Sequence, residues 1–269
     1  MLLRSVTVLS LFGLTISWCY GHNVDSFSHK NGRIIGGTPA YPAQYPFMAA
    51  ITVQSSTTRI FCVGALLSNQ WILTAAHCVN GAVLFTIQLG SNSLSEADSN
   101  RVTLATSTYV VHPEFNPDTL DHDVGLIKLR LPIDFTDYIR AVDYLPSSPI
   151  LEFQNVIAVG WGQVTDADPS LSDELRWVLM SAISNEECRL TYGSQITDSM
   201  VCASGNYNEG PCLGDSGGPL VHLLNGSRMV VVAVSSFVSG NGCESPDPSG
   251  YTRTFPYVDW IRNTTDLWE

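Results

Sequence analysis

The stretch that says most about this chain is Gly214-Asp215-Ser216-Gly217-Gly218-Pro219. A serine hydroxyl is a weak nucleophile until a neighbouring base removes its proton, and the oxyanion on an attacked carbonyl needs fixed hydrogen-bond donors. Glycines around such a serine let the backbone turn sharply, so that consecutive N–H groups can face one point. Taken alone, the stretch is equally consistent with a glycine-rich loop that carries no chemistry.

Two earlier stretches contain the partners that a reactive serine needs. Leu73-Thr74-Ala75-Ala76-His77-Cys78 places a histidine next to a cysteine, so a disulfide could hold the backbone beside the imidazole. Asp121-His122-Asp123 opens the apolar run Val124–Leu129, which suits a carboxylate that reaches inward to an imidazole N–H. Each stretch alone is better explained structurally, as a histidine beside a cystine or as a solvated aspartate.

Composition places the chain among globular proteins and excludes several partners. Its 269 residues are 45% hydrophobic and 14% charged, which is too apolar for a disordered chain. The formal net charge of −12 argues against nucleic acid and against anionic membranes as partners.

The secondary structure that the sequence predicts is mostly β. Short runs rich in Val, Ile, Thr or aromatic residues are bounded by turn residues, as in a sandwich or barrel. They are Phe47–Val53, Thr58–Leu67, Val83–Leu89, Val102–Val111, Val124–Leu129, Val156–Val159 and Met229–Phe237. Two helices are expected: a short one capped at Ser184, and a closing one over Pro256–Leu267.

The first residues have the features of a secretory signal. Arg4 precedes the apolar run Val6–Ile16, which is shorter than the ~20 residues that a spanning helix needs. We expect a signal peptide over residues 1–21 and therefore a secreted, extracellular protein. The polar segment 22–33 that follows has no periodicity and is expected to be a propeptide.

Cysteine usage agrees with export. Of seven cysteines, Cys19 lies in the expected signal, and the other six suggest three disulfides, for which composition alone permits 15 pairings. No spacing is of the Cys-x-x-Cys type that binds zinc. The acidic stretch Ser91–Asn100 is interpreted as a solvated turn and not as a calcium loop. The sequence therefore predicts no metal and no cofactor.

Together, in the order His, Asp, Ser, the three stretches resemble the chymotrypsin/trypsin-like serine peptidases. Among these, the chain is most similar to elastase-, chymotrypsin- and arthropod collagenase-like members. The resemblance runs from Arg33 to the C-terminal helix and includes Gly160-Trp161-Gly162 and Tyr257-Val258-Asp259-Trp260-Ile261. It implies an all-β fold of two six-stranded antiparallel β-barrels, with the active site in the cleft between them and a short C-terminal helix. The peptidase domain would span residues 34–269.

The resemblance also implies the roles of the catalytic residues. His77 would accept the proton of Ser216 and later protonate the leaving amine, and Asp123 would fix the imidazole tautomer. Asp121 is the nearest rival for that last role, but Asp123 directly precedes the apolar run, as in the family. The oxyanion hole would be formed by the N–H groups of Gly214 and Ser216.

Further implications concern cross-links and activation. The family pattern pairs Cys62 with Cys78, Cys188 with Cys202, and Cys212 with Cys243. In Asn31-Gly32-Arg33-Ile34-Ile35-Gly36-Gly37, a trypsin-like protease would cut after Arg33. The freed Ile34 ammonium would then pair with the carboxylate of Asp215, and this switch would order the pocket and the oxyanion hole.

Specificity is expected from the primary pocket, where the resemblance implies Gly210 at the base, Val238 and Ser249 at the walls, and Ser236 as a further substrate-binding residue. No acid stands at the base, so a preference for Arg or Lys is not expected. Side chains at the walls favour small or medium apolar residues, as in elastase-like members. A chymotrypsin-like preference for large apolar residues stays open, as does a pocket acid at Asp247.

Two sequons, at Asn225 and Asn263, are candidate glycosylation sites. Expected partners are protein or peptide substrates, the activating protease and protein protease inhibitors, and the protein is expected to be a monomer. The main alternative is a non-catalytic homologue, which usually lacks a triad residue. A lipase or esterase would have the acid between serine and histidine in chain order.

Overall fold

The computed structural model describes residues 35–143 and 145–267, without the side chain of Tyr207. The expected signal peptide, the propeptide 22–33, and the residues Arg33 and Ile34 lie outside this part. Its strands form two large antiparallel sheets and one small hairpin. No helix within the described part is long and apolar enough to cross a membrane.

The first large sheet is built from the N-terminal half of the chain. Its strands are β2 (Met48–Gln54), β3 (Arg59–Leu66), β4 (Trp71–Thr74), β5 (Leu84–Leu89), β6 (Val102–Thr106), β7 (Thr108–Val111) and β8 (Gly125–Lys128). Their order is β6-β5-β2-β3-β4-β8-β7. The two end strands are separated in the chain by Ser107 alone, so the sheet curls until its ends meet along one bent strand.

The bend at Ser107 is held by a side chain. Thr106 accepts a hydrogen bond from the Thr108 amide at 3.3 Å and donates its own hydroxyl to the Lys128 carbonyl at 2.7 Å. The sequence predicts one strand over Val102–Val111, whereas the structure has two strands that pair with opposite ends of the sheet.

The second large sheet closes into a barrel. It contains β1 (Thr38–Pro39), β9 (Asn155–Gly160), β12 (Arg176–Ile183), β13 (Met200–Gly205), β14 (Pro219–Leu224), β15 (Arg228–Phe237) and β16 (Ser249–Arg253). Six of these strands form the closed ring β9-β12-β13-β16-β15-β14, because β9 pairs with both β12 and β14. Strand β1 joins the outside of β12. Strands β10 (Gln163–Thr165) and β11 (Asp168–Leu171) form the separate hairpin.

Each sheet surrounds apolar side chains. In the first, Ile51, Val63, Ile72, Phe85 and Leu126 are among the fully buried residues. In the second, the buried residues include Val156, Val201, Leu220, Val232 and Tyr251. Burial of such side chains contributes about 1.5–3 kcal/mol each. The all-β fold of two barrel-like sheets that the resemblance implies is confirmed.

Helices in the described part of the chain are few and short. They are α1 (Ala76–Val79), α2 (Asn185–Tyr192) and α3 (Val258–Thr265), with 3₁₀ turns at Gly193–Gln195, Asn206–Asn208 and Phe255–Tyr257. The predicted cap at Ser184 is present, since its hydroxyl accepts a hydrogen bond from the Glu187 amide at 3.0 Å. The closing helix begins two residues later than predicted, because Phe255–Tyr257 is a 3₁₀ turn.

Candidate active site

His77 lies in α1, directly after β4 of the first sheet. A disulfide joins Cys62 of β3 to Cys78, so the residue next to His77 is fixed to the centre of the sheet. The imidazole itself is 26% exposed and therefore open to solvent on one side. The backbone at His77 is therefore held in place, while its imidazole remains accessible to a substrate.

Asp123 holds the imidazole from the buried side. Its carboxylate is fully buried, and Oδ2 lies 2.7 Å from His77 Nδ1. The other oxygen accepts a hydrogen bond from the His77 amide at 2.8 Å, so ring and backbone are both fixed. Ser236 of β15 donates its hydroxyl to Oδ2 at 2.6 Å. With Nδ1 engaged in this way, Nε2 is the ring nitrogen left to act as a base.

Asp121 lies at a different site, although it is only two residues away. Its Oδ1 accepts hydrogen bonds from the hydroxyls of Thr197 at 2.9 Å and Ser199 at 2.5 Å. These bonds lower the pKa of Asp121 despite the opposing effect of burial. Between the two acids, it is Asp123 that contacts His77.

The Ser216 loop is attached to the first sheet through its backbone. The Ser216 carbonyl accepts a hydrogen bond from the Val63 amide at 2.8 Å, one residue from the Cys62–Cys78 bridge. Gly217, at φ 79°, leaves no room for a side chain, because a Cβ atom there would overlap the Thr74 hydroxyl. These contacts hold Ser216 against the segment that leads into His77.

Hydrogen bonding around Ser216 leaves three groups available for chemistry. Within the described residues the Ser216 hydroxyl makes no hydrogen bond, and the contact to His77 that the resemblance implies is not formed there. The N–H groups of Gly214 and Ser216 likewise donate to no acceptor in that part of the chain. Gly214 has φ 99°, a conformation that favours glycine. The predicted nucleophile Ser216 and Gly214, two residues before it, therefore each have a free N–H donor.

Asp215 points away from the cleft into the protein. Its Oδ1 accepts a hydrogen bond from the Gly162 amide at 2.7 Å and its Oδ2 one from the Cys212 amide at 3.0 Å. The side chain is only 3% exposed, and burial raises the pKa of Asp215 to about 6. The two amide donors offset only part of the free-energy cost of burying the charged carboxylate. A cation placed beside Asp215 would therefore be stabilising.

The residue after the expected activation site is docked on the second barrel. Ile35 is buried, and its carbonyl accepts a hydrogen bond from the Gly210 amide at 3.2 Å. Arg176 donates to the Gly37 carbonyl at 3.1 Å, and Thr38–Pro39 pairs with β12. The start of the described chain is therefore fixed next to Gly210, six residues before Ser216.

Three of the four predicted pocket residues line one small cavity of about 40 Å³: Gly210, Val238 and Ser249. The Ser249 hydroxyl is engaged in the wall, donating to the Ala203 carbonyl at 3.2 Å and lying 3.0 Å from the Tyr251 hydroxyl. The fourth predicted residue, Ser236, is 5% exposed and directs its hydroxyl to Asp123, away from this cavity.

Other residues at this cavity are Met180 and Glu209, which the sequence did not indicate, and Asp247, which it left open. Asp247 accepts hydrogen bonds from Ser239 at 2.6 Å and from Asn241 at 2.8 Å, which lower its pKa. The family resemblance left Asp247 open as a pocket acid, although the spacing from Cys243 favoured Ser249 at the wall, and no local pattern marks Met180 of β12 as a lining residue.

The remaining cystines lie in the second half of the chain. Cys188 of α2 is joined to Cys202 of β13, and Cys212 is joined to Cys243 beside the cavity. With Cys62–Cys78, these are the three pairings that the resemblance implies. Cys212 precedes Ser216 by four residues, so the third bridge ties the nucleophile loop to the cavity wall.

Comparison with known proteins agrees with this geometry. The family model described as Trypsin matches residues 34–261. Brachyurin from Leptuca pugilator is 35% identical over 87% of this chain and 99% of its own length. Collagenase from Hypoderma lineatum is 37% identical over 96% and 98%, and chymotrypsin-like elastase family member 1 from Bos taurus is 31% identical over 95% and 98%.

Solved structures show the same fold. A structure described as HL collagenase superposes with a TM-score of 0.78 at 35% identity, over 88% of this chain and all of the other. One described as GrC gives a TM-score of 0.77 at 26% identity, over 87% of this chain and all of the other. Since the family match and the relatives both cover nearly the whole described region, the chain belongs to the trypsin family and is a serine endopeptidase, a hydrolase that acts on protein substrates.

Proposed function

We propose that this chain is a secreted peptidase, made as an inactive precursor, that cleaves after small or medium apolar residues with Ser216 as its nucleophile. The observation that carries the proposal is the fixed His77–Asp123 pair, together with a Ser216 loop that is hydrogen-bonded to Val63 of the same sheet and in which the N–H groups of Gly214 and Ser216 are free. The chemistry is acyl transfer from the substrate to the enzyme and then to water.

In the first step, His77 Nε2 takes the Ser216 proton as the serine oxygen attacks the peptide carbonyl. Asp123 stabilises the imidazolium that results, and Ser236 holds the carboxylate in place. The N–H groups of Gly214 and Ser216 donate to the oxyanion, each contributing about 3 kcal/mol to transition-state stabilisation. His77 then protonates the leaving amine, and water repeats the sequence to release the acid product.

Activation would occur by cleavage between Arg33 and Ile34, by a trypsin-like protease. The new Ile34 ammonium would be one residue from Ile35, which is already docked at Gly210. Asp215 is the acceptor proposed for it, because this buried carboxylate has only two amide donors to offset its desolvation. An ion pair there would hold the loop that carries Gly214 and Ser216.

The preference for small or medium apolar residues is inferred from the cavity that Gly210, Val238 and Ser249 line. Its volume of about 40 Å³ leaves little room, and Val238 and Ser249 both project from its walls. The Ser249 hydroxyl is engaged by Ala203 and Tyr251, so it offers the substrate no unpaired polar group. A chymotrypsin-like preference for large apolar residues is the second candidate, because Gly210 places no side chain at the base of the cavity.

Secretion and glycosylation are part of the same proposal. Three disulfides in the described residues are typical of oxidising compartments, and the signal-like residues 1–21 would direct export. Both sequon asparagines are exposed: Asn225 lies in the turn between β14 and β15, and Asn263 lies on α3. Glycans at these positions would project into solvent.

A covalent fluorophosphonate probe tests the catalytic assignment. We expect labelling of the Arg33-cleaved protein at Ser216, none in Ser216→Ala, and none in the uncleavable Arg33→Gln variant. Labelling that is equal in cleaved and uncleavable protein would contradict the activation step. No labelling of the cleaved protein would favour the non-catalytic homologue.

A peptide panel that differs only at the residue before the cut tests specificity. We expect Ala, Val and Leu to be cleaved faster than Phe, and Arg or Lys to be cleaved slowest. Fastest cleavage after Phe or Tyr would support the second candidate, and fastest cleavage after Arg or Lys would overturn both.

A further inference from the structure

A cluster of imidazole and carboxylate groups lies in the β7–β8 connection, immediately before Asp123. Its members are His112, Glu114 and His122, each of which offers one ligand atom within 4.8 Å of the other two. His112 directly follows β7, and its amide donates to the Val124 carbonyl at 3.1 Å. The two strands therefore bring both histidines to one end of the hairpin.

The two imidazoles are oriented by their neighbours. Their rings stack with centroids 5.5 Å apart and an angle of 17° between the planes. Tyr257 and Trp260 pack edge-on against His112, each with centroids 4.9 Å apart. The Tyr257 hydroxyl lies 2.8 Å from His122 Nδ1. If Nδ1 donates to this hydroxyl, the lone pair of Nε2 is free, which is how metal-binding histidines are commonly oriented.

The electrostatic environment favours a cation. Asp121 Oδ2 lies 3.6 Å from His122 Nε2, so a second carboxylate stands beside the cluster. Glu114 is exposed, and among the described residues no lysine or arginine forms an ion pair with either acid.

From this arrangement we propose that His112, Glu114 and His122 form a zinc-binding site that controls the catalytic aspartate. Two imidazoles and one carboxylate are a ligand set that Zn²⁺ accepts, at Zn–N distances of about 2.0–2.1 Å. A tetrahedral ion places its ligand atoms about 3.3 Å apart and lies in the plane of each imidazole, so on binding the exposed Glu114 side chain rotates inward and the His122 ring turns out of its stack on His112. If His112 Nδ1 is the atom that binds the ion, it loses its hydrogen bond from the Glu114 amide. That bond is long, at 3.3 Å, so its loss costs little.

Coupling to the active site is covalent and short. His122 has φ 54° and immediately precedes Asp123, whose two oxygens hold His77. An ion on the His122 ring restrains this turn and shifts the carboxylate relative to the imidazole. Small displacements of a catalytic group have large effects on rate, so bound zinc lowers kcat. The inhibition rests on the role of Asp123 in the proposed function, whereas zinc binding does not.

Zinc binding is measured first, by competition with a zinc-sensitive dye on the mature protein. We expect one ion per chain in the wild type, in the inactive His77→Ala variant and in the His222→Gln control on β14. Glu114→Gln and His122→Gln are expected to bind at least tenfold more weakly. Binding that survives in both ligand variants but is lost in His77→Ala would overturn the site, since the ion would then lie on the catalytic imidazole. Absence of wild-type binding at about 1 mM zinc would also overturn it.

Inhibition is measured second, by peptide hydrolysis at increasing zinc concentration. Glu114→Gln is expected to keep its basal activity and to need at least tenfold more zinc for the same loss of kcat. Equal inhibition of Glu114→Gln and wild type would contradict the coupling. A wild-type protein that binds zinc but hydrolyses no peptide would refute the proposed function and leave the binding site intact.

Discussion

Ser236 donates its hydroxyl hydrogen to Oδ2 of Asp123 at 2.6 Å, and the same oxygen lies 2.7 Å from His77 Nδ1. The second barrel thereby contributes a buried donor to a carboxylate that belongs to the first. The hydroxyl and the imidazole share one acceptor atom. The position of that atom therefore depends on both barrels.

Replacement of Ser236 by alanine should lower kcat more than it changes KM. A hydrogen bond to a charged group contributes about 1.5–3 kcal/mol, so its loss should reduce kcat/KM by about tenfold or more. Steady-state kinetics on one apolar peptide substrate measures this. The matched control is Ser235→Ala, whose hydroxyl makes no hydrogen bond among the described residues. A rise in KM alone would instead assign Ser236 to substrate binding.

The buried Asp215 should make the uncleaved chain less stable at neutral pH than in acid. Burial raises its pKa from 3.8 to about 6, so the native state holds the proton more tightly than the unfolded state. Stability is therefore fully present below pH 4 and is lost as pH rises through 6, by about 3 kcal/mol for this group. The measurement is urea unfolding of Arg33→Gln at pH 4 and 7.5.

Asp215→Asn in the same Arg33→Gln background is the control, because its side chain does not titrate. In the cleavable Arg33 background, the pH dependence of the difference in unfolding free energy between Asp215→Asn and its parent should shrink or reverse once the chain is cleaved and an ammonium becomes available. If the two Arg33→Gln proteins, with and without Asp215→Asn, differed in unfolding free energy by the same amount at pH 4 and at pH 7.5, Asp215 would titrate in the folded chain as it does in water.

Local sequence predicted the parts of the fold that local chemistry decides. Ser184 followed by Glu187 indicates a helix N-terminus, and α2 begins there. Strand β12 escaped prediction, because Arg-Trp-Val-Leu-Met-Ser-Ala-Ile mixes strand and helix formers. Pairing with both β9 and β13 makes it a strand. The bend at Ser107 also has no local signal, since the Lys128 carbonyl that helps to fix it is 22 residues from Thr106.

The candidate site was predicted from motifs. The structure adds the contacts between distant residues and the directions of their side chains, which motifs do not contain. His77 and Asp123 are 46 residues apart, and only the family resemblance joined them before their contact was known. Ser236 was assigned to the pocket through the family resemblance, yet its hydroxyl faces Asp123. Regular alternation would put Ser236 and Val238 on one face, but the pairing of β15 with β16 shifts register between Ser235 and Phe237, so the two residues serve different sites.

Gly210→Asp, made together with Val238→Gly to widen the narrow cavity, should convert it to one that accepts Arg or Lys. A Cβ atom at Gly210 would meet only Met180 Cε, at 3.7 Å, so the base of the cavity has room for a side chain. A carboxylate there would pair with a basic substrate side chain in a confined space. The peptide panel described above measures the change. Gly210→Asn in the same Val238→Gly background is the control of equal size without charge, and equal gains in both variants would show that the charge is not responsible.

Asp166 should position the cavity wall from outside the cavity. Its two carboxylate oxygens accept hydrogen bonds from the amides of Cys243 at 2.8 Å and Glu244 at 3.0 Å. Glu244 in turn accepts one from the Asp166 amide at 3.0 Å, so the two loops hold each other reciprocally. Cys243 lines the cavity and is bonded to Cys212, four residues before the nucleophile.

Asp166→Ala should therefore raise KM by about fivefold with little change in kcat, because exposed hydrogen bonds of this kind contribute about 1 kcal/mol. The loop loses its anchor, while the His77–Asp123 pair lies in the other barrel and keeps its contacts. The exposed Asp134→Ala variant is the matched control, since it removes the same charge without these bonds. If kcat fell and KM stayed constant, the hydrogen bonds between Asp166 and the Cys243–Glu244 segment would act on the nucleophile loop through Cys212 and not on the wall of the cavity.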